Sequence, residues 1–310
     1  MENQSIVTEF ILVGFSNDPQ MQILLFLVFL IIYAMTLLGN LAIMLVIRTE
    51  ASLHSPMFFF LSHLAFMDIC YSSATIPKML QNFTAKQKTI SWEGCTAQIF
   101  FFLQAGCADV ALLWVMAYDR YVAICVPLNY SRIMIQQTCR QLVWAAWTAG
   151  SLMAVANTLP LVDLSFCREN TIHHYTCEIP SLLPLSCSET HTNYMLIHTS
   201  SIIYGLMAFP TISISYSYII FTILRSHSAK SRSKAFSTCS SHLIVVILFY
   251  ITAFLRCLMP SSRSTTVLET VVSIQYSILT PMLNPIIYSL KNQEIKTALG
   301  KNLSKVAMSL

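Results

Sequence analysis

Two acids stand where acids are costly. Asp68 and Asp109 each lie near the middle of a long apolar stretch. A carboxylate in a low dielectric is destabilised by lost hydration unless it is paired, protonated or bound to a cation. If the two stretches form neighbouring antiparallel helices, both acids reach a similar depth, where Asn40 and Asn284 can also stand. A sodium ion between Asp68 and Asp109 would relieve both charges; one proton holding the two acids together is the competing reading.

Further residues invite chemistry of position. Asp119 and Arg120 adjoin at the end of an apolar stretch. An adjacent acid can hold a guanidinium in place and expose it on release, although two boundary residues snorkelling to water would look the same. Pro281 and Pro285 share one apolar stretch. Each removes a backbone donor and loosens a helix, and the freed carbonyls need polar partners such as Asn284. A bistable element and a static kink both fit that spacing.

Ten cysteines fall into two groups. Cys95, Cys167, Cys177 and Cys187 lie in connecting segments on one side, and four cysteines allow three pairings. Metal ligation by these four is the alternative, but the paired close spacing of a zinc site is missing. Cys70, Cys107 and Cys257 fall inside apolar stretches, and Cys125, Cys139 and Cys239 lie at their other ends; these six are expected to be reduced.

The elements that must position these residues follow from composition. Of 310 residues 55% are hydrophobic and 10% charged, against about a quarter charged in soluble domains. The expected fold is all-α: seven spans and a single domain over 1–310, with its bundle at 23–290. The spans are Ile23–Ile47, Met57–Leu80, Gln98–Tyr118, Leu142–Leu161, Ile197–Leu224, Leu243–Met259 with an amphipathic lead-in from Lys234, and Val267–Leu290. Each approaches the roughly 20 residues a membrane helix needs. Polar residues interrupt the last two, as expected of helices that face other helices or a wet cavity.

Arg48, Arg132, Arg140, Arg225, Lys230, Arg232, Lys234, Lys291, Lys296, Lys301 and Lys305 fall in one set of connections, and acids prevail in the other. The basic set is expected to be cytoplasmic. That places residues 1–22 outside and the tail, 291–310, inside. Met1–Gln22 has no basic, cleavable leader pattern, so the first span is expected to act as an uncleaved anchor. Asn3-Gln4-Ser5 is then a glycosylation sequon in the right compartment. In the tail, Ile295, Leu299, Leu303 and Val306 recur at helical spacing among lysines, as in a short amphipathic helix on the inner leaflet. The basic run from Arg225 to Lys234 reads both as an anchor to anionic lipid and as a protein contact.

Several classes lose support. No basic stripe with interleaved aromatics suggests nucleic acid as a partner. No zinc-protease, phosphate-loop or nucleophile-elbow motif suggests an enzyme. No repeat suggests a transporter, and the last span holds no lysine before Lys291 to carry a retinal Schiff base.

Longer runs narrow the reading. These are Gly39-Asn40, Pro56-Met57-Phe58-Phe59-Phe60-Leu61-Ser62, the decapeptide Met116–Cys125, Ser215-Tyr216, Lys234–Leu243 (KAFSTCSSHL) and Pro281–Ser289 (PMLNPIIYS). In order and spacing the chain resembles an odorant receptor of the rhodopsin-like (class A) G-protein-coupled receptor superfamily. His63, Ala65, Ile251 and the run Phe254–Pro260 depart from the family's commoner residues, which bears on the ligand class.

The resemblance implies a multi-pass plasma-membrane receptor that binds a small volatile odorant and activates a heterotrimeric G protein, of the stimulatory olfactory type that raises cyclic AMP. It implies that Arg120 is a latch on Asp119, and that Tyr216, Asn284, Pro285 and Tyr288 reorganise with it. It favours sodium at Asp68 and Asp109, with no other cofactor. It pairs Cys95 with Cys177 and Cys167 with Cys187; the competing use of His174–Glu178 as a copper site would need the Cys177 thiolate. By matching positions and helical spacing, the ligand set is Leu103, Gly106, Cys107, Val110, Tyr204, Tyr250, Ala253, Cys257 and Ser277. This lining is mostly apolar, with a few hydroxyls and thiols. Arg256 would reach an anionic ligand or snorkel outward.

Overall fold

The computed structural model describes residues 8–16, 18–167, 170–225, 229–258 and 267–309; within them, the side chains of 206–208, 229–235, 237–238, 253–258, 267 and 303–309 lie outside the description. Seven long helical segments form the bundle: α1 (Pro19–Thr49), α2 (Pro56–Thr84), α3 (Trp92–Cys125), α5 (Gln136–Thr158), α7 (His191–Arg225), α8 (Ala229–Leu258) and a broken seventh. The seventh runs through α9 (Val267–Ile274), a π turn (Gln275–Leu279) and α10 (Thr280–Lys291). Short helices α4 (Tyr130–Ile133) and α6 (Ile179–Leu182) lie in connections, and α11 (Gln293–Ser309) follows the last span.

The helices run past their apolar stretches because local caps extend them. Asp18 accepts from the Gln20 amide and precedes Pro19 at the first helical position of α1. Ser91 caps α3 through the Gly94 amide at 3.1 Å. Asn292 receives the amides of Glu294 and Ile295 at 3.0 and 3.3 Å, starting α11 immediately after α10 ends. Among the described residues five helices are long and apolar enough to cross a membrane; the sixth has a shorter apolar core, Cys239–Thr252. The seventh is interrupted by its π turn, where the amide and hydroxyl of Thr280 both reach the Gln275 carbonyl.

Large apolar side chains face outward along much of the bundle, around an apolar core that also encloses polar groups. On α1, Leu38 is 69% exposed while Thr36 and Asn40 are fully enclosed. Apolar side chains turned outward and polar ones turned inward suit lipid as the surrounding solvent. Within the bundle, small residues permit close approach. A Cβ at Gly39 would lie 3.1 Å from the Pro285 ring, and one at Gly150 of α5 only 2.6 Å from the Gln104 carbonyl oxygen of α3.

At one end of the bundle sits a small sheet the sequence did not announce. β1 (Glu9–Leu12) is central, antiparallel to β2 (Thr89–Ser91) and parallel to β3 (Thr171–Ile172), with Phe10 opposite Ile90 and Leu12 opposite Ile172. Phe10 is enclosed against Trp92 and Phe166, at ring separations of 6.1 and 5.1 Å. Disulfides Cys95–Cys177 and Cys167–Cys187 lie at this same end.

Gly150 gives a direct test of the α3–α5 approach. Gly150→Leu must push backbone from backbone, a cost of about 1–3 kcal/mol or more. Thermal unfolding of the detergent-solubilised protein is expected to show a lowered midpoint; an unchanged midpoint would contradict the close approach.

Candidate functional site

The mid-bundle acids come together as neighbours on α2 and α3, and both are buried. The Asn284 side-chain amide donates to both Asp68 oxygens, at 2.9 and 3.0 Å. Asp109 differs: its Oδ1 is buried with no hydrogen-bond partner. Asp68, Asp109, Asn284, Thr280, Tyr276 and Phe249 are among the residues lining a small cavity, which leaves about 10 Å³ for the centre of a water-sized body. That is room for about one water or one bare small cation. Hard oxygen donors and an unsatisfied carboxylate oxygen fit a sodium ion.

A backbone repair positions Asn284. Pro285 has no amide hydrogen, so the Pro281 carbonyl four residues earlier loses its helical donor. The Asn40 side chain of α1 supplies one, at 3.1 Å, while also donating to the Thr36 carbonyl at 3.0 Å. The loosened seventh helix is thus held at the depth of Asp68.

At the opposite end from the disulfides, the Arg120 Nε donates to Asp119 Oδ2 at 3.0 Å, and its Nη2 donates to the same oxygen. The second Asp119 oxygen accepts from the Tyr130 hydroxyl at 2.8 Å. Tyr130 was not among the expected residues. Its signal was the chain reversal at Pro127-Leu128-Asn129, a tight turn that brings α4 back beneath α3. Burial, then the Asp119 charge, push the Tyr130 phenol above its ordinary range, which keeps it a donor.

A second missed residue is His242 of α8, which is fully enclosed. Its Nε2 lies 3.0 Å from the Leu113 carbonyl of α3 and its Nδ1 lies 2.5 Å from the Tyr216 hydroxyl of α7. A carbonyl can only accept, so Nε2 carries the proton and the Tyr216 hydroxyl donates to Nδ1. One imidazole therefore joins three helices. The signal was a histidine within an otherwise small and apolar helical run, Cys239–Val246. Tyr288 is enclosed, with its hydroxyl unpartnered.

The residues of the expected ligand set occupy several places in the bundle. Leu103 packs against the cluster of Ile99 and Cys177 at the disulfide end. Gly106 faces Tyr71, whose ring would be 3.0 Å from an added Cβ. Ser277 is enclosed and donates to the Ser273 carbonyl at 2.7 Å, with the Tyr175 hydroxyl 2.8 Å away. Val110 and Cys107 are half-buried on α3. The Tyr204 hydroxyl reaches toward the Cys107 thiol but makes no well-formed hydrogen bond, and the Tyr250 hydroxyl is likewise buried and unpartnered. The side chains of Ala253, Arg256 and Cys257, and all of Asn3, lie outside the described residues.

The olfactory receptor family model matches residues 29–306 of the chain. The chain belongs to the olfactory receptor family. Human olfactory receptor 8S1 is 50% identical over 294 residues, covering 95% of this chain and 81% of that protein. Mouse olfactory receptor 1J21 is 48% identical over 303 residues, covering 98% and 97%. The crystal structure of squid rhodopsin superposes with a TM-score of 0.74 at 18% identity, over 96% of this chain and 91% of that one, which establishes the shared fold. The chain is accordingly a multi-pass membrane receptor with a rhodopsin-like helical bundle, not an enzyme.

His242→Phe keeps a ring in the receptor core and removes both of its hydrogen bonds. Each is worth about 0.5–1.5 kcal/mol net, and more where a partner is left buried and unsatisfied. The melting midpoint of the purified receptor is expected to fall, and a midpoint equal to wild type would show that the imidazole does not join the helices.

Proposed function

We propose that this olfactory receptor binds a small, mostly apolar volatile molecule within its bundle and thereby activates a heterotrimeric G protein of the stimulatory olfactory type, raising cyclic AMP. The observation that carries the reading is the closed Asp119–Arg120 pair, braced by Tyr130 at the end of α3. An enclosed acid that holds a guanidinium by charge-assisted bonds is a two-state element, and its release would free Arg120 for a partner protein. Tyr216, Asn284, Pro285 and Tyr288 would shift with it. The lysines and arginines around this end support a cytoplasmic assignment, which puts the disulfides, the N-terminal strand and the sequon at Asn3 outside.

The ligand would lie between α3, α7, α8 and the seventh span, against Leu103, Gly106, Cys107, Val110, Tyr204, Tyr250, Ala253, Cys257 and Ser277. The unpartnered hydroxyls of Tyr204 and Tyr250 support a ligand with a hydrogen-bond acceptor on an apolar frame. Sodium would be held by Asp68 and Asp109, with the Asp109 oxygen that has no other partner as its first ligand.

Cyclic AMP measured in transfected cells across an odorant panel tests the reading. Wild type is expected to respond to at least one odorant, and Arg120→Ala to lose that response at equal surface level. Transport or current with flat cyclic AMP would favour a transporter or channel instead. Asp109→Asn, which removes the charge, is expected to abolish any sodium-dependent change in thermal midpoint; a sodium effect that survives it would place the ion elsewhere.

A further inference from the structure

The long connection between α5 and α7 does not merely cover the bundle. Cys177 fastens it to α3, and the Cys177 amide donates to Gln98 of α3 at 2.9 Å. The next residue, Glu178, is buried. Its Oε1 accepts from the Tyr276 hydroxyl at 2.5 Å and from the Ser273 hydroxyl at 2.9 Å, with His174 Nε2 at 3.9 Å. Tyr175, on the same connection, lies 2.8 Å from both Ser273 and Ser277. Successive turns of the seventh span are thus bonded to one loop.

Tyr276 has a second face. It sits inside the π turn, and it lines the cavity of Asp68, Asp109 and Asn284. Its ring packs edge-on against Phe102 at 5.9 Å, and Phe102 stacks on Tyr71 at 4.5 Å. A π turn is a common place for a helix to change register, because its hydrogen bonds are already offset. The residue that bonds the loop is therefore also the residue at the yielding point of the helix, above the segment that carries Asn284.

We propose that Tyr276 is a positioning residue that links the disulfide-anchored loop to the carboxylate cavity: the Glu178–Tyr276 bond holds the π turn in the latch-closed register. A ligand that lifts Glu178 releases that register and moves Asn284 relative to Asp68. The register that the bond holds is the one found with the closed Asp119–Arg120 pair; a bond made in that packing alone stabilises it, and its loss shifts the population toward the other. The signalling half of this inference rests on the receptor reading above; the mechanical half does not.

Amide hydrogen exchange on the purified full-length receptor tests the mechanical half. Tyr276→Phe and Glu178→Ala are expected to speed exchange across Thr280–Lys291 by about fivefold. Glu178→Gln, which still offers an oxygen to the Tyr276 hydroxyl, should stay near wild type. The double variant Tyr276→Phe/Glu178→Ala should not exceed Glu178→Ala, in which the bond that Tyr276→Phe removes is already lost. In cells, both single variants should raise ligand-free cyclic AMP about fivefold at matched surface level. Exchange that is unchanged, or changed only in the loop and within Ser273–Ser277, overturns the linkage, as does an additive double variant. If exchange spreads into α10 while neither wild type nor any variant raises cyclic AMP, the G-protein reading fails and the linkage stands. Should Glu178→Ala not fold, Tyr276→Phe compared with Glu178→Gln decides the question.

Discussion

A helix surrounded by hydrocarbon has no water to complete a broken backbone ladder, and that constraint organises the centre of this receptor. Pro285 deprives the Pro281 carbonyl of its donor, and Asn40 replaces it from another helix at 3.1 Å. The repair needs α1 close to the seventh span, and Gly39, whose added Cβ would meet the Pro285 ring at 3.1 Å, allows that approach. With the seventh span fixed there, Asn284 reaches both oxygens of Asp68. A proline, a glycine and two asparagines thus act as one unit.

Polar groups are used in the same way elsewhere in the bundle. His242 joins α3, α7 and α8 through one ring, and the Asp119 carboxylate is shared between Arg120 and Tyr130. His242 is satisfied by α3 and α7, and Asp119 in part by Tyr130 of α4, so that moving one element leaves a group unpaired. Such interiors resist small deformations and favour jumps between discrete packings. Buried atoms left unsatisfied, among them Asp109 Oδ1 and the hydroxyls of Tyr204, Tyr250 and Tyr288, mark places where that satisfaction is incomplete.

The seven apolar runs were legible because lipid demands long apolar helices, and among the described residues five helices are recognisable on length and hydropathy alone. The last two were harder to read because each also turns a polar face inward, with Thr252 in the sixth and Ser273, Ser277 and Asn284 in the seventh. Asp68 and Asp109 stood out as misplaced charges, but their neighbours could not be counted along the chain. Tyr130 and His242 escaped because their partners lie on other elements: Leu113 stands 129 residues before His242. Nothing along the chain shows that Tyr71 stands opposite Gly106; that neighbour is set by the packing of α2 on α3. The three-stranded sheet was invisible, since four residues of β1 alternate too briefly to signal a strand.

That sheet orders events in time. β1 precedes every span, yet β2 follows the second and β3 follows the fourth. Because β1 lies between them, it can pair along its β2 edge once the second span is made, while its β3 edge stays open until the fourth crossing is complete. Phe10, which Phe166 helps to enclose, and Leu12, opposite Ile172, gain their full cover only at that later stage. The sheet is therefore finished one edge at a time, in step with the crossings that deliver its strands.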